Sequence, residues 1–347
     1  MEKEYKWMVR VDCMTYNHAS YIEDALNGFC MQETDFPFVC TIIDDASTDG
    51  ELNVIKKYLE EHFDLKDRTI VRNEETEDYT SIFARHKTNT NCYFAVLFLK
   101  YNHYSIKKDK MPYIAEWQEN CKYIALCEGD DYWIDGKKLQ KQVDFLENHE
   151  NVTLVCCRTK QYSVKRQKFM KECYCYNKDR CVKVKDVICR GGLFIATCSI
   201  MYKYDMIKNN YPDYCKKCHV GDYPLQIYAA MKGTVFYFND TMSVYRMENV
   251  NSWVGRQKKN FLSEQRLEGI LSEVKMLQGF AKDYPSYKSM FNYRILFFII
   301  INFPNKKVDK QGYDIYKKNF YTELQSLNLK DRIRIYFQYY NLPNRFL

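Results

Sequence analysis

The sequence predicts an α/β fold: a mostly parallel mixed sheet flanked by helices, followed by a helical C-terminal region. Three observations predict it. Strand-like and helix-like segments alternate through the first half, acidic turns follow the strands, and beyond residue 255 the pattern changes to long stretches of helical spacing. Alternation of this kind favours parallel pairing, because the chain must cross over between parallel strands and a helix is the usual crossover.

The segment "WMVRVDCM" (7–14) sets Trp7, Val9, Val11 and Cys13 on one strand face. "SYIEDALNGF" (20–29) follows with Ser20 and Glu23 as an expected capping box, and with Ile22, Ala25, Leu26 and Phe29 at helical spacing. The unit recurs. "FVCTII" (38–43) has strand length, "DDASTDG" (44–50) is a turn, and Thr48 with Glu51 is a second expected capping box before Leu52, Ile55 and Leu59. "TIVRN" (69–73) and "YIALC" (123–127) read as further strands, and "KKLQKQVDFLEN" (137–148) carries Leu139, Val143 and Leu146 on one helical stripe. "VTLVCC" (152–157) and "TVFYFNDTMSVYRM" (234–247) read as strands and "YPLQIYAAMKG" (223–233) as a helix, whereas 160–190 shows little periodicity. We therefore divide the chain at 1–255 and 256–347, with "SEQRLEGILSEVKML" (263–277) typical of the second part.

At 347 residues and 46% hydrophobic content, one large or two ordinary domains can bury a core. The net charge of +7 comes from a mild basic excess spread along the chain, which excludes the concentrated basic face of a nucleic-acid binder. The start, "MEKEYKWMVR", lacks the apolar stretch of a signal peptide, so a cytoplasmic location is expected and the fifteen cysteines read as reduced thiols. The longest apolar run, "ILFFIIINF" (295–303), is about half a bilayer span.

Ligands of such sheets bind beyond the carboxyl ends of the strands. Both acidic clusters, "DDASTD" and "CEGDDYWIDG" (127–136), stand at such ends and are expected to share one crevice. Glu128, Asp130 and Asp131 fall within four residues, and carboxylates so crowded need a compensating cation. Hard oxygen donors suit Mg²⁺ or Mn²⁺. The alternative is that acidic residues here terminate a strand and cap the next helix, the role expected of Asp135. Trp133 is either a sugar-stacking platform or core.

"TYNHASYIEDAL", "IIDDASTDG", "YIALCEGDDYW" and "KLQKQVDFLE", in that order over roughly residues 5–255, resemble the family 2 glycosyltransferases with the A-type (GT-A, Rossmann-like) nucleotide-sugar-binding fold, bacterial members above all. The resemblance makes 1–255 the catalytic domain. It implies that Met14, Tyr16 and Asn17 lie against the nucleotide base, that Asp45 hydrogen-bonds it, and that Glu128, Asp130 and Asp131 hold the Mn²⁺ or Mg²⁺ bridging the donor diphosphate. It implies Asp222, in "HVGDYPLQ", as the base that deprotonates the acceptor hydroxyl, although an Asp two residues before Pro224 also suits a helix N-cap. On the residues alone, Tyr16 is equally a half-buried loop aromatic, and Asp44 and Asp45 equally turn formers.

The chain departs from the family pattern in "YRME" (245–248), where Glu248 stands in place of a His near the leaving group, with Arg246 beside it as a phosphate contact. It also carries a lysine-bearing insert, 100–122, read as a border of the acceptor site or a solvated excursion. The expectation is a metal-dependent, inverting glycosyltransferase of glycan or polysaccharide biosynthesis. Its partners would be a nucleotide-sugar donor and a glycan or lipid-linked glycan acceptor. The alternative is a catalytically silent relative that binds nucleotide sugar or glycan. The basic, aromatic stretch 330–347 suits either the inner membrane surface or a helical packing layer or homodimer contact.

Overall fold

The structure is a computed structural model that describes residues 5–170, 172–247, 264–302 and 310–325. The chain divides into two compact units. The first comprises 1–183, 192–211 and 228–255; the second comprises 184–191, 212–227 and 256–347.

The first unit is built on one mixed sheet. Its strands are β1 (Trp7–Thr15), β2 (Phe38–Asp44), β3 (Arg72–Glu75), β4 (Tyr79–Arg85), β5 (Cys92–Leu99), β6 (Cys121–Leu126), β7 (Tyr132–Trp133), β8 (Val152–Ser163), β9 (Lys168–Phe169), β10 (Arg180–Cys181), β11 (Met201–Lys203) and β12 (Thr234–Met247). The order is β10-β12-β8-β11-β6-β1-β2-β5-β4-β3, with β7 on β12 and β9 on β8. The centre, β6-β1-β2-β5, is parallel, and β11, β4 and β3 run antiparallel to their neighbours. All seven residues of β2 are buried, as expected of a strand covered on both faces.

The helices that cover the centre are α1 (Ile22–Cys30), α2 (Glu51–His62), the short α3 (Ala115–Glu119) and α4 (Lys138–Asn148). Their predicted stripes are the buried ones, save that Leu52 is half-buried: Ile22, Ala25, Leu26 and Phe29 on α1, Ile55 and Leu59 on α2, and Leu139, Val143 and Leu146 on α4. The capping boxes are not. Tyr21 and Gly50 occupy the two N-cap positions and neither helix has a side-chain cap. Gly50 is there because its φ of 94° is a left-handed conformation that a side chain would strain.

Trp133 is core. It is 1% exposed, its ring meets Phe29 edge to face at 5.0 Å, and its Nε1–H donates to the Cys198 carbonyl at 2.8 Å. Beneath it lies a residue the periodicity did not single out. Lys138 is wholly buried, with its ammonium 4.2 Å from the Trp133 ring centroid and donating to Gln142 Oε1 at 2.8 Å. Burial lowers its pKa.

The second unit contains the helices Val184–Arg190, Glu264–Asp283 and Lys288–Ile301. Among the described residues no helix is long and apolar enough to cross a membrane. Glu248 and the stretch 330–347 lie outside the described residues.

Candidate nucleotide-sugar site

β1 lies between β2 and β6, so the loops leaving all three strands emerge side by side at one sheet edge. Backbone bonds fix their order. Asp45 N–H donates to the Thr15 carbonyl at 3.0 Å, and on the other side Gly129 N–H donates to the Met14 carbonyl at 3.0 Å. Position 129 is glycine for want of room, since a Cβ there would lie 2.2 Å from Thr15 Oγ1. The two acidic patches therefore flank the end of a single strand.

The loop after β1 is knitted to the loop after β2. Asn17, at φ 59°, donates its N–H to Ser47 Oγ (2.9 Å) and accepts from Thr48 N–H at Oδ1 (2.8 Å). Asp49 accepts from Ala19 N–H at 2.9 Å, and Asp44 from Ser47 N–H at 2.9 Å. Under them sits Glu51, wholly buried, accepting from Thr15 Oγ1, His18 N–H (2.9 Å) and Ser47 Oγ (2.8 Å). Burial raises the Glu51 pKa, and its three donors pull it back. Glu51 was expected to cap α2; the structure assigns it to this anchor instead.

Thr15 Oγ1 also meets His18 Nδ1 at 3.2 Å, and His18 Nε2 lies 3.7 Å from Asp130 Oδ2. A chain of polar contacts, Ser47–Glu51–Thr15–His18–Asp130, thus crosses from one acidic patch to the other. His18 stands within "TYNHASYIEDAL", and its one signal there is its place three residues beyond Thr15 at a strand end.

In the second patch Asp131 is 1% exposed. Its Oδ1 accepts from Arg246 N–H at 2.8 Å, but Oδ2 has no hydrogen-bond partner, and the neighbouring Cys198 thiol is turned to the Val244 carbonyl at 3.9 Å. Burial first, then Asp130 and Glu128, push the Asp131 pKa well above the carboxylate range. Asp130 is buried and Glu128 exposed. Arg246 is a brace: its Nη1 donates to the Asp130 carbonyl at 2.9 Å, its Nη2 pairs with Asp24, and its guanidinium lies 4.4 Å from the Tyr132 ring centroid.

Among the described residues, no three or more His, Cys, Asp or Glu side chains converge as a metal-holding group. Glu128, Asp130 and Asp131 are adjacent in the chain but are not drawn onto one point. A buried carboxyl with an unsatisfied oxygen beside a second acid is nonetheless a hard-donor set of the kind that accepts Mg²⁺ or Mn²⁺, ions bound through one or two carboxylates with water and phosphate completing the shell.

Met14 and Tyr16 are half-buried and stand with Asn17 at the end of β1. Asp45 is buried, and it is held by the insert. His103 N–H donates to its Oδ1 at 2.7 Å, Tyr104 N–H and Lys110 Nζ to its Oδ2 at 3.1 and 2.7 Å, and Asn102 Nδ2 to its carbonyl at 2.9 Å. The insert is exposed along much of its length, yet it is tied to the β2 loop at Asp45. A second acid, Asp78, pins it from below through Lys108 (2.6 Å), Tyr113 (2.7 Å) and Tyr101, and these donors hold the Asp78 pKa far below the usual range.

Asp222 belongs to the second unit, where it opens the helix Asp222–Lys232 and accepts from Tyr223 N–H at 2.8 Å. Near it in that unit, His219 Nε2 lies 3.5 Å from Glu273 Oε1 and His219 Nδ1 2.9 Å from Ser272 Oγ. Burial pushes Glu273 up to about 8 and His219 down to about 4.

A parallel sheet centre with two acidic patches flanking the end of one central strand is the arrangement of the GT-A fold. Residues 13–81, from β1 into β4, match the family model described as "Glycosyl transferase family 2". The chain is 29% identical over 240 residues to an uncharacterized protein of Mycobacterium tuberculosis and to its counterpart in Mycobacterium bovis. That alignment takes in 69% of this chain, which spans 59% of the length of these curated relatives. The fold is shared with Staphylococcus aureus TarS in complex with UDP (TM-score 0.51, 14% identity, 93% of this chain and 76% of that one). It is shared also with the mannosyltransferase PcManGT of Pyrobaculum calidifontis in complex with GDP-Man and Mn²⁺ (TM-score 0.50, 12% identity, 96% and 81%).

Proposed function

We propose that the protein is an inverting, metal-dependent glycosyltransferase that moves a sugar from a nucleotide-diphosphate donor to a hydroxyl acceptor, with 1–255 as its catalytic domain. The observation that carries this reading is the convergence of Asp45 and Gly129–Asp131 on the two sides of Met14–Thr15, through paired backbone bonds at 3.0 Å. The names of the two fold neighbours, one holding UDP and the other GDP-Man with Mn²⁺, support it.

In this reading Tyr16 and Asn17 border the base with Asp45, and the Met14 carbonyl fixes the acidic loop through Gly129. Asp131 and Asp130, with Glu128 at the exposed rim, hold Mn²⁺ or Mg²⁺. When bound, the ion offsets charge on the leaving nucleoside diphosphate. Arg246 keeps Asp130 and Asp131 in place. The acceptor oxygen forms a bond to the anomeric carbon as the bond from that carbon to the diphosphate oxygen breaks, and the acceptor's proton passes to the carboxylate of Asp222. One displacement inverts the anomeric configuration. The acceptor belongs to glycan or polysaccharide synthesis in this proposal, and the protein works on the cytoplasmic side.

The test is a panel of nucleotide sugars with Mn²⁺, scored by the shift in melting temperature and by release of nucleoside diphosphate, since a ligand that binds the native state raises its stability. At least one donor raises the melting temperature, and EDTA cancels both the shift and the turnover. Binding without any cleavage, with acceptor pools present, would instead support a silent sugar-nucleotide binder. Full activity in EDTA would remove the metal.

A further inference from the structure

Asp45 was expected to hydrogen-bond the base, and the structure surrounds it with the insert. A carboxylate offers about four acceptor positions. Three are filled, by His103 N–H, Tyr104 N–H and Lys110 Nζ, which leaves one. Among the described residues Asp45 is the sole polar partner of the Lys110 ammonium, which therefore keeps two of its three donors. Lys110 is about one-fifth exposed and Asp45 almost fully covered, so the ammonium stands at the open side of the pair.

The loop that carries Lys110 is tied at several points. His103 is wholly buried, its Nδ1 against the Tyr101 carbonyl (2.8 Å) and its Nε2 against Tyr113 OH (3.0 Å), which in turn donates to Asp78. Lys108 N–H closes the loop onto the His103 carbonyl at 2.9 Å. A loop tied at Asp45 and at Asp78 sets Lys110 against the same carboxylate that keeps the one remaining acceptor position.

We propose that Lys110 is a specificity-determining residue of the nucleotide site, and that the Asp45–Lys110 pair reads an imide edge, an N–H beside a carbonyl. The inference rests on the assignment of Asp45 to the base. The acceptor position of Asp45 takes the ring N–H, and Lys110 donates to the adjacent exocyclic oxygen. Uracil and guanine present that pattern, through O4 and O6. Cytosine and adenine present an exocyclic amino group instead, which would face the ammonium donor to donor. The pair selects uridine or guanosine donors and rejects cytidine and adenosine donors.

The experiment is calorimetric titration of the full chain with UDP, GDP, CDP and ADP, each with Mn²⁺, for the wild type, Lys110→Met and Lys110→Arg. The wild type binds UDP or GDP at least about tenfold more tightly than CDP and ADP. Lys110→Met compresses that ratio to about threefold or less while ADP affinity changes little, and Lys110→Arg keeps part of it. If Lys110→Met does not fold, Lys110→Gln, uncharged, takes its place. A wild-type ratio in the neutral variant overturns the proposal, as does an equal loss of affinity for all four nucleotides, which would mark a phosphate contact. A wild type that binds none of the four overturns the nucleotide-site reading itself, whereas binding with unchanged selectivity overturns only the role of Lys110.

Discussion

The two acidic patches, alike in the sequence, are opposites in the structure. At the end of β2, Asp44, Asp45, Asp49 and Glu51 accept hydrogen bonds from their own turn and from neighbouring loops, Glu51 from three donors and Asp45 from three. At the end of β6, Asp131 accepts one backbone N–H and keeps a buried oxygen with no partner. A buried acceptor left unpaired is destabilising, so a fold keeps one where something else has use for it. The difference teaches that carboxylates at strand ends divide into those that shape the loops and those left with an acceptor position to spare. Donor satisfaction, rather than burial or sequence density, tells them apart.

The sharpest way to break this comparison is a pair of isosteric changes with opposite consequences. Asp131→Asn removes the proposed metal ligand and no anchor. Donor turnover falls by about 10²-fold or more, the melting-temperature response to Mn²⁺ disappears, and the stability of the metal-free protein stays within about 1 kcal/mol, because the oxygen lost had no donor. Glu51→Gln does the reverse. Its amide cannot accept from Thr15, His18 and Ser47 together, so a buried donor goes unpaired and unfolding free energy drops by about 1–3 kcal/mol. Urea unfolding of both variants, with and without Mn²⁺, checks the contrast; similar losses of metal-free stability would erase it.

Gly129→Ala examines the seam between the patches. Its Cβ would displace Thr15 Oγ1, which binds both Glu51 and His18, so the change reaches each patch at once. A loss of about 1–3 kcal/mol in unfolding free energy is expected from the overpacking, together with weaker binding of the donor. Thr15→Ser, which keeps the hydroxyl, leaves the polar chain in place.

Much of this fold was legible. The apolar runs of β1, β2 and β6 and the stripes of α1, α2 and α4 are local patterns, and parallel pairing follows from their alternation. What escaped lacks a local pattern. "CYFAVLFL" (β5) is a continuous apolar run that periodicity cannot separate from a buried helix, and β3, "RNEE", is exposed throughout and is a strand only because it pairs with β4. The strand read in "TIVRN" begins in fact at Arg72. In the site, the positions of the acids were legible and their partners were not. That Lys110 and His103 would close on Asp45, some sixty residues earlier in the chain, depends on a tertiary approach that no spacing encodes. Arg246, read as a phosphate contact, braces the loop for the same reason.

The smallest effect comes from a third kind of acid, half-buried in the second unit. Glu273 has neither several donors nor an orphan oxygen; it faces His219 at 3.5 Å, and its pKa is pushed up to about 8 from the ordinary 4.5. Below pH 4.5 the acid is protonated in folded and unfolded chains alike. Between 4.5 and 8 the unfolded chain releases the proton and the folded one keeps it, so stability falls as pH rises through that window and levels off above it. His219, pushed down to about 4 from 6.5, acts in the other direction: its unfolded form binds a proton first, so stability falls as pH drops from 6.5 to 4. Glu273→Gln removes the first slope and leaves the second. The variant then gains on the order of 1 kcal/mol over the wild type between pH 6 and pH 8, read from unfolding curves across that range. A constant difference at every pH would mean that Glu273 is ionised in the fold and belongs with the satisfied carboxylates of β2.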